Sequence, residues 1–135
     1  GSLKNMWTLP WGIVEGQTEA IGDVDTPEKA ACREVLEEGG VTAAVRSLIA
    51  VQNQVSKKGV YMLIFVYLCD FVNGVPKPDM NETSEARFLT HDELADVRQD
   101  CDRYCYWIAN KVFASEYTEL NRSDDSPYSP HVGFY

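Results

Sequence analysis

The densest chemistry in the chain is a short acidic run: Glu34, Glu37 and Glu38, with Arg33 before it and Gly39-Gly40-Val41 after it. At about 100° per residue, a helix puts these three carboxylates on one face. Ala31, Cys32, Val35 and Leu36 fall on another. Each like-charged pair one turn apart costs roughly 0.2–0.5 kcal/mol, and the helix macrodipole disfavours acids near the C-terminus. Carboxylates clustered there work against the helix unless a cation joins them, and hard oxygen donors of this kind suit a divalent cation. For an arbitrary Glu-x-x-Glu-Glu, a solvated surface face is the ordinary explanation. Here the whole string counts against it: arginine before the first acid, apolar residues between, glycine and then valine to close.

The elements that must position these acids can be read on either side. Thr26-Pro27-Glu28 is a helix start, with a capping hydroxyl, proline at the first helical position and an acid in the first turn. The helix runs to about Glu38 and stops at Gly39-Gly40, where a left-handed cap is easy. Val41 to Val55 is rich in β-branched residues and reads as a strand with a break, and Ser56 to Gly59 as a hairpin turn. Val60 to Phe71 is an apolar run expected to be a strand buried on both faces. Val72 to Asp79 is a loop, Glu85 to Leu89 a short strand, and Thr90-His91-Asp92-Glu93 a capping box that starts a helix. From Asp100 to Tyr117, the residues Cys101, Tyr104, Cys105, Ile108 and Val112 have helical spacing, best read as a face packed on the sheet. From Asn121 the tail is extended or loosely packed. This order of elements implies an α/β or α+β sandwich, with helices on both faces of a mixed sheet.

The 135 residues suit one domain, and 44% hydrophobic content gives it a core. A net charge of -9 and a pI near 4.6 leave no basic footprint for nucleic acid. An acidic protein that handles anionic phosphates needs a cation between them. The four cysteines have no zinc-site spacing relative to His91 or His131 and read as reduced thiols, which favours the cytoplasm. No apolar run approaches membrane-span length. Lys57 and Lys58 are expected to solvate the hairpin tip. Trp7, Trp11 and Tyr61 are expected to pack rather than stack on a base.

The string Arg33 to Val41 closely resembles the second half of the Nudix box: Arg-Glu-apolar-x-Glu-Glu-x-Gly-apolar. Trp7 to Gly16 is similar to that family's approach to the box, and Glu85 to Leu94 to its late strand and helix, so the resemblance covers roughly Trp7 to Leu94. There are three departures. Trp11-Gly12 stands for the usual Gly-Gly, and little precedes Trp7. Twelve residues rather than five separate Gly12 from Asp25, which replaces the box's first glutamate.

The resemblance implies a Nudix-type α/β/α sandwich on a mixed sheet, lacking its N-terminal hairpin, with one domain over 3–120 and a tail over 121–135. It implies that Glu34, Glu37 and Glu38 bind Mg²⁺ or Mn²⁺, that the Gly12 carbonyl adds a ligand, and that Arg33 orients Glu34. A further acid is expected from Glu82 or Glu85, with Glu82 preferred. The implied activity is metal-dependent cleavage of a phosphoanhydride bond in a nucleoside diphosphate derivative or nucleoside triphosphate. The competing readings are hydrolysis of a non-nucleotide diphosphate and a nucleotide-binding module without catalysis. Neither nucleic acid nor membrane is an expected partner. The segment Gly16 to Val24 is expected to shape specificity beside the pocket. The shortened front calls for another strand, from the C-terminal tail or from a second copy in a homodimer, and the dimer is preferred.

Overall fold

The computed structural model describes residues 4–15 and 24–135. Helix α1 spans Pro27–Gly39, with Pro27 in its first turn. It ends as its glycines demand. Gly40 takes φ 72 and its N–H reaches the Leu36 carbonyl at 2.9 Å, a left-handed turn that only glycine enters without steric cost. The N-terminus differs from expectation. Thr26 holds the cap position but makes no side-chain cap bond, and its hydroxyl is buried without a partner.

Strands β1 (Val41–Val55) and β2 (Tyr61–Gly74) form one long antiparallel hairpin. Its turn is closed by the Gly59 N–H on the Ser56 carbonyl, 2.9 Å. The break expected in the first strand is a set of bulges: the register slips between Thr42 and Ala43, Val45 and Ser47, and Leu48 and Ala50. Each slip bends the ribbon and adds twist. Helix α1 packs mainly on β1 and touches β2.

The expected double-sided burial of the second strand is not found. Tyr61, Leu63 and Phe65 are 64%, 51% and 39% exposed, and Val51 and Val55 beside them are exposed too. Val51 pairs with Phe65 and Val55 with Tyr61, so all five side chains share one face. The physical reason is the strand's place. The sheet order is β2-β1-β3-β4, which leaves β2 at an edge, and an apolar run does not say how many layers cover it.

On its other side β1 is paired by the tail. Strand β3 (Leu120–Ser123) pairs with β1 through Ser47–Asn121 and Leu48–Leu120, and β4 (Gly133–Phe134) pairs with β3. Of the two expected sources, the disfavoured one therefore occupies the β1 edge. Pro127 and Pro130 fall in the connection between β3 and β4, where they disturb no ladder. The seam is fixed by a polar pin. Ser47, 0% exposed, donates to the Glu119 carboxylate at 2.9 Å, and Arg46 bonds Glu119 and Asp70 at 3.2 Å each. The Phe134 ring meets Tyr67 at 5.3 Å.

The expected strand over Glu85–Leu89 does not form: these residues join no ladder. They are held by side chains, Arg87 over the Trp7 ring at 4.9 Å and Phe88 edge-on to Phe71 at 5.6 Å. The described ladders are all antiparallel, and the parallel part of the expected mixed sheet is one bridge, Trp7 to Cys101. Helix α2 (His91–Asp96) has its capping box complete, with the Glu93 N–H on Thr90 Oγ1 at 3.2 Å and the Thr90 N–H on the Glu93 carboxylate at 2.6 Å. After a 3-10 turn at Arg98–Asp100, α3 (Arg103–Phe113) starts later than expected, because Asp102 caps the Cys105 N–H at 2.9 Å. Among the described residues, Ala30, Val41, Leu48, Leu94, Cys101 and Ile108 are the buried apolar side chains. The four cysteines are unpaired, and no described helix is long and apolar enough to cross a membrane.

Candidate functional site

The acids of α1 are held individually. Arg33 organises them: Nη1 lies 2.6 Å from Glu34 and 3.5 Å from Glu37, while Nη2 donates to the Ile13 carbonyl and to Asp25, each at 3.2 Å. Asp25 also accepts the Glu15 N–H at 2.9 Å, so one guanidinium ties the approach segment to the helix. Charge-assisted bonds of this kind fix geometry as well as adding energy.

Glu34 is 9% exposed, unusual for a carboxylate without function. Gly12 packs directly on it: a Cβ on Gly12 would lie 1.9 Å from Glu34 Oε1. Glu38 accepts the Trp11 N–H at 3.1 Å. Burial pushes the Glu38 carboxyl above its usual range, and the charges of Glu34, Glu82 and Asp79 push the same way, against the pull of the Trp11 N–H. Glu37 is exposed.

Glu82 sits in the turn that returns to the end of α1, its N–H on the Asp79 carboxylate at 3.0 Å. Glu85 instead turns to Arg87, 3.6 Å away. The loop carrying Glu82 is anchored on α1 by the Thr83 hydroxyl, which donates to the Glu38 carbonyl at 2.9 Å. Residues 25, 79 and 83 were not singled out as functional from the sequence. Asp79-x-x-x-Thr83 has the composition of a side-chain-capped turn, a signal that could have found two of them. The cavity of about 250 Å³ lined by Thr26, Lys29, His131 and Val132 sits at the opposite end of α1 from Glu37 and Glu38. The segment Gly16 to Val24 lies, as far as residue 23, outside the described residues.

A family model described as NUDIX domain matches residues 2–108, well over half the chain. The chain belongs to the Nudix family. A curated relative, human "Nucleoside diphosphate-linked moiety X motif 6", is 39% identical over 59 residues, 44% of this chain. The match covers 16% of that protein's length. The Nudix match spans Gly12, Asp25, Arg33, all three helix glutamates and Glu82 together.

Nudix proteins generally use divalent cations, and the donor set here suits one chemically: carboxylates on successive turns and a backbone at Gly12 stripped of any Cβ. The described side chains do not form a ready cage; no three acidic, histidine or cysteine groups converge on one point. The reason is visible in the bonds above. Glu34 and Glu37 face Arg33, and Glu38 faces the Trp11 N–H.

Proposed function

We propose that the chain is a hydrolase of phosphoanhydride bonds in nucleoside diphosphate derivatives or nucleoside triphosphates. One observation carries the reading: the Thr83 hydroxyl, 2.9 Å from the Glu38 carbonyl, fastens the loop bearing Asp79 and Glu82 onto the end of the helix that bears Glu34, Glu37 and Glu38. Folding that gathers like charges is unfavourable in itself, and a phosphate-bound cation removes the penalty.

Glu34, Glu37, Glu38 and the Gly12 carbonyl are the groups that would hold Mg²⁺ or Mn²⁺. Such an ion, when bound, supplies charge neutralisation for the diphosphate and a water of lowered pKa. The chain's own residues do the rest. Arg33 keeps the Glu34 carboxylate aimed and the approach segment in place. Glu82, in the loop fastened to that helix, takes the proton of the attacking water. As that water adds to one phosphorus, the bridging P–O bond breaks and its electron pair leaves on the other phosphate. Positioning and charge supply most of the rate in such chemistry.

A panel of nucleotide diphosphates and triphosphates with Mg²⁺ or Mn²⁺, read out as released phosphate or monophosphate, is the test. Turnover by the wild type that disappears in Glu38→Gln supports the reading, and no turnover across the panel defeats it. Metal also has a readout of its own. Saturation at a hundred times the dissociation constant adds roughly 2.7 kcal/mol of stability, so millimolar Mg²⁺ should raise the melting temperature of the wild type and not that of Glu34→Ala. The same reading includes a reducing compartment such as the cytoplasm, in keeping with four free thiols. Self-association through the β2 edge is included as well, because that edge and its apolar face are exposed.

A further inference from the structure

The segment after β2 returns to the end of α1 and is fastened there twice. The Lys77 N–H bonds the Gly39 carbonyl at 2.9 Å, and the Thr83 hydroxyl bonds the Glu38 carbonyl at 2.9 Å. Both carbonyls belong to the last turn of the helix, where no intrahelical donor is available. Gly40 makes room for this: a Cβ there would lie 2.8 Å from the Lys77 carbonyl oxygen.

Between the two fastenings, the chain forms one closed turn around Asp79. Its carboxylate accepts the N–H groups of Asn81 at 3.0 Å, Glu82 at 3.0 Å and Thr83 at 2.9 Å. These bonds, that of Thr83 foremost, hold the Asp79 carboxyl below its usual range. The Met80 N–H bonds the Thr83 carbonyl at 2.9 Å. Met80 itself sits at φ 66, a left-handed conformation that a residue with a long side chain adopts only when its surroundings impose it. The Thr83 oxygen is used in both senses. It donates toward the Glu38 carbonyl at 2.9 Å and the Asp79 carboxylate at 3.1 Å, and its lone pair takes the Asp79 N–H at 3.3 Å.

We infer that Thr83 and Asp79 are positioning residues, which together clamp Glu82 against the acidic end of α1. Glu82 lies between them in sequence, and its backbone is bonded on one side and covalently tied to the clamp on the other. Without the Thr83 hydroxyl, nothing in the described bonds links residues 79–83 to the helix. This assignment rests on the hydrolase reading above, because it gives Glu82 its task.

The test uses the full chain, with Thr83→Val, Thr83→Ser and Glu82→Gln, and the double variant of Glu82→Gln with Thr83→Val. Thr83→Val should lower kcat by roughly 10- to 100-fold, the cost of a misplaced acid, with KM changed little. Thr83→Ser keeps the hydroxyl and should restore most of the rate. The double variant should be no slower than Glu82→Gln alone, since Thr83 acts through Glu82. Amide exchange over residues 79–83, which needs no substrate, should quicken at least tenfold in Thr83→Val while the first two turns of α1 keep their protection.

Wild-type kcat in Thr83→Val, additive losses in the double variant, or unchanged exchange would each overturn the clamp. A wild type inactive on the whole panel would instead overturn the hydrolase reading and the positioning role with it, whatever the exchange shows.

Discussion

Glu34 is fixed from two sides. It is nearly buried, held by Arg33 on one side and covered by Gly12 on the other. Gly12→Ala tests that arrangement directly, since the added methyl must displace a carboxylate that Arg33 holds. We expect kcat to fall by roughly 10- to 100-fold with a small change in melting temperature, measured side by side on the purified variants. Asp25 is the other residue to weigh. It takes the second amino group of Arg33 at 3.2 Å and so ties the approach segment to the helix. The helix acids were legible in the sequence because i, i+3 and i+4 always share a face. The same cannot be said of Asp79 and Thr83, 41 and 45 positions along from Glu38, since nothing local dictates that approach.

Thiols give a second prediction at this scale. Burial pushes Cys69 and Cys105 from the ordinary 9.0 up to about 11. Both should react slowly with a thiol reagent at pH 8, and the native protein's alkylation rate should keep rising to about pH 11. The raised values also set a sign for stability. A proton held more tightly when folded contributes nothing to the pH dependence below the unfolded pKa, and its stabilisation is lost as pH rises from there through the folded value. Melting temperature should therefore fall between about pH 9 and 11, and less steeply in Cys69→Ala.

Elements carry the next two expectations. Ser47 sits fully buried at the β1–β3 seam with Glu119 as its acceptor. Glu119→Ala leaves that hydroxyl, and part of Arg46, unsatisfied, which costs about 1–3 kcal/mol; chemical denaturation should show the loss with an unchanged m-value. The capping box of α2 works in the opposite pH range from the thiols. Bonds from the Thr90 backbone and hydroxyl hold the Glu93 carboxyl below its usual range. Its contribution is present above the ordinary carboxylate pKa and disappears as pH falls through the depressed one. Thr90→Ala should cost about 1 kcal/mol near neutrality and less in acid. The helices and the hairpin were readable from caps, turns and periodicity. The strand expected at Glu85–Leu89 was not realised, because a strand exists only where a partner edge is offered, and here side-chain packing on Trp7 and Phe71 takes its place.

On the scale of the whole molecule, the C-terminal tail is structural. A chain ending at Glu119 loses β3 and β4, uncovers the β1 edge at Ser47 and Leu48, and leaves Tyr67 without Phe134. It should melt well below the full chain and self-associate, since unpaired edges recruit other strands. Light scattering at micromolar concentration on both chains measures the second effect, and equal melting and size would contradict the role given to the tail. The intact protein still exposes Val51, Val55, Tyr61, Leu63 and Phe65 on one face, the surface through which we expect it to dimerise in the same scattering experiment.

The amino-acid sequence alone determined what depends on neighbours within a turn or two. It specified a helix begun by Pro27 and ended by Gly39-Gly40, three glutamates on one of its faces with Arg33 beside them, and a hairpin around Ser56–Gly59. Helical and strand periodicity, capping chemistry and turn residues act over a few positions, so they can be read in one dimension. Only the tertiary structure decided which distant groups meet those acids. Gly12 closes on Glu34, Asp25 on Arg33, Thr83 on the end of α1, and the tail rather than a second copy occupies the β1 edge. Those choices belong to loop closure and edge pairing, in which many placements cost similar chain entropy and specific hydrogen bonds select among them.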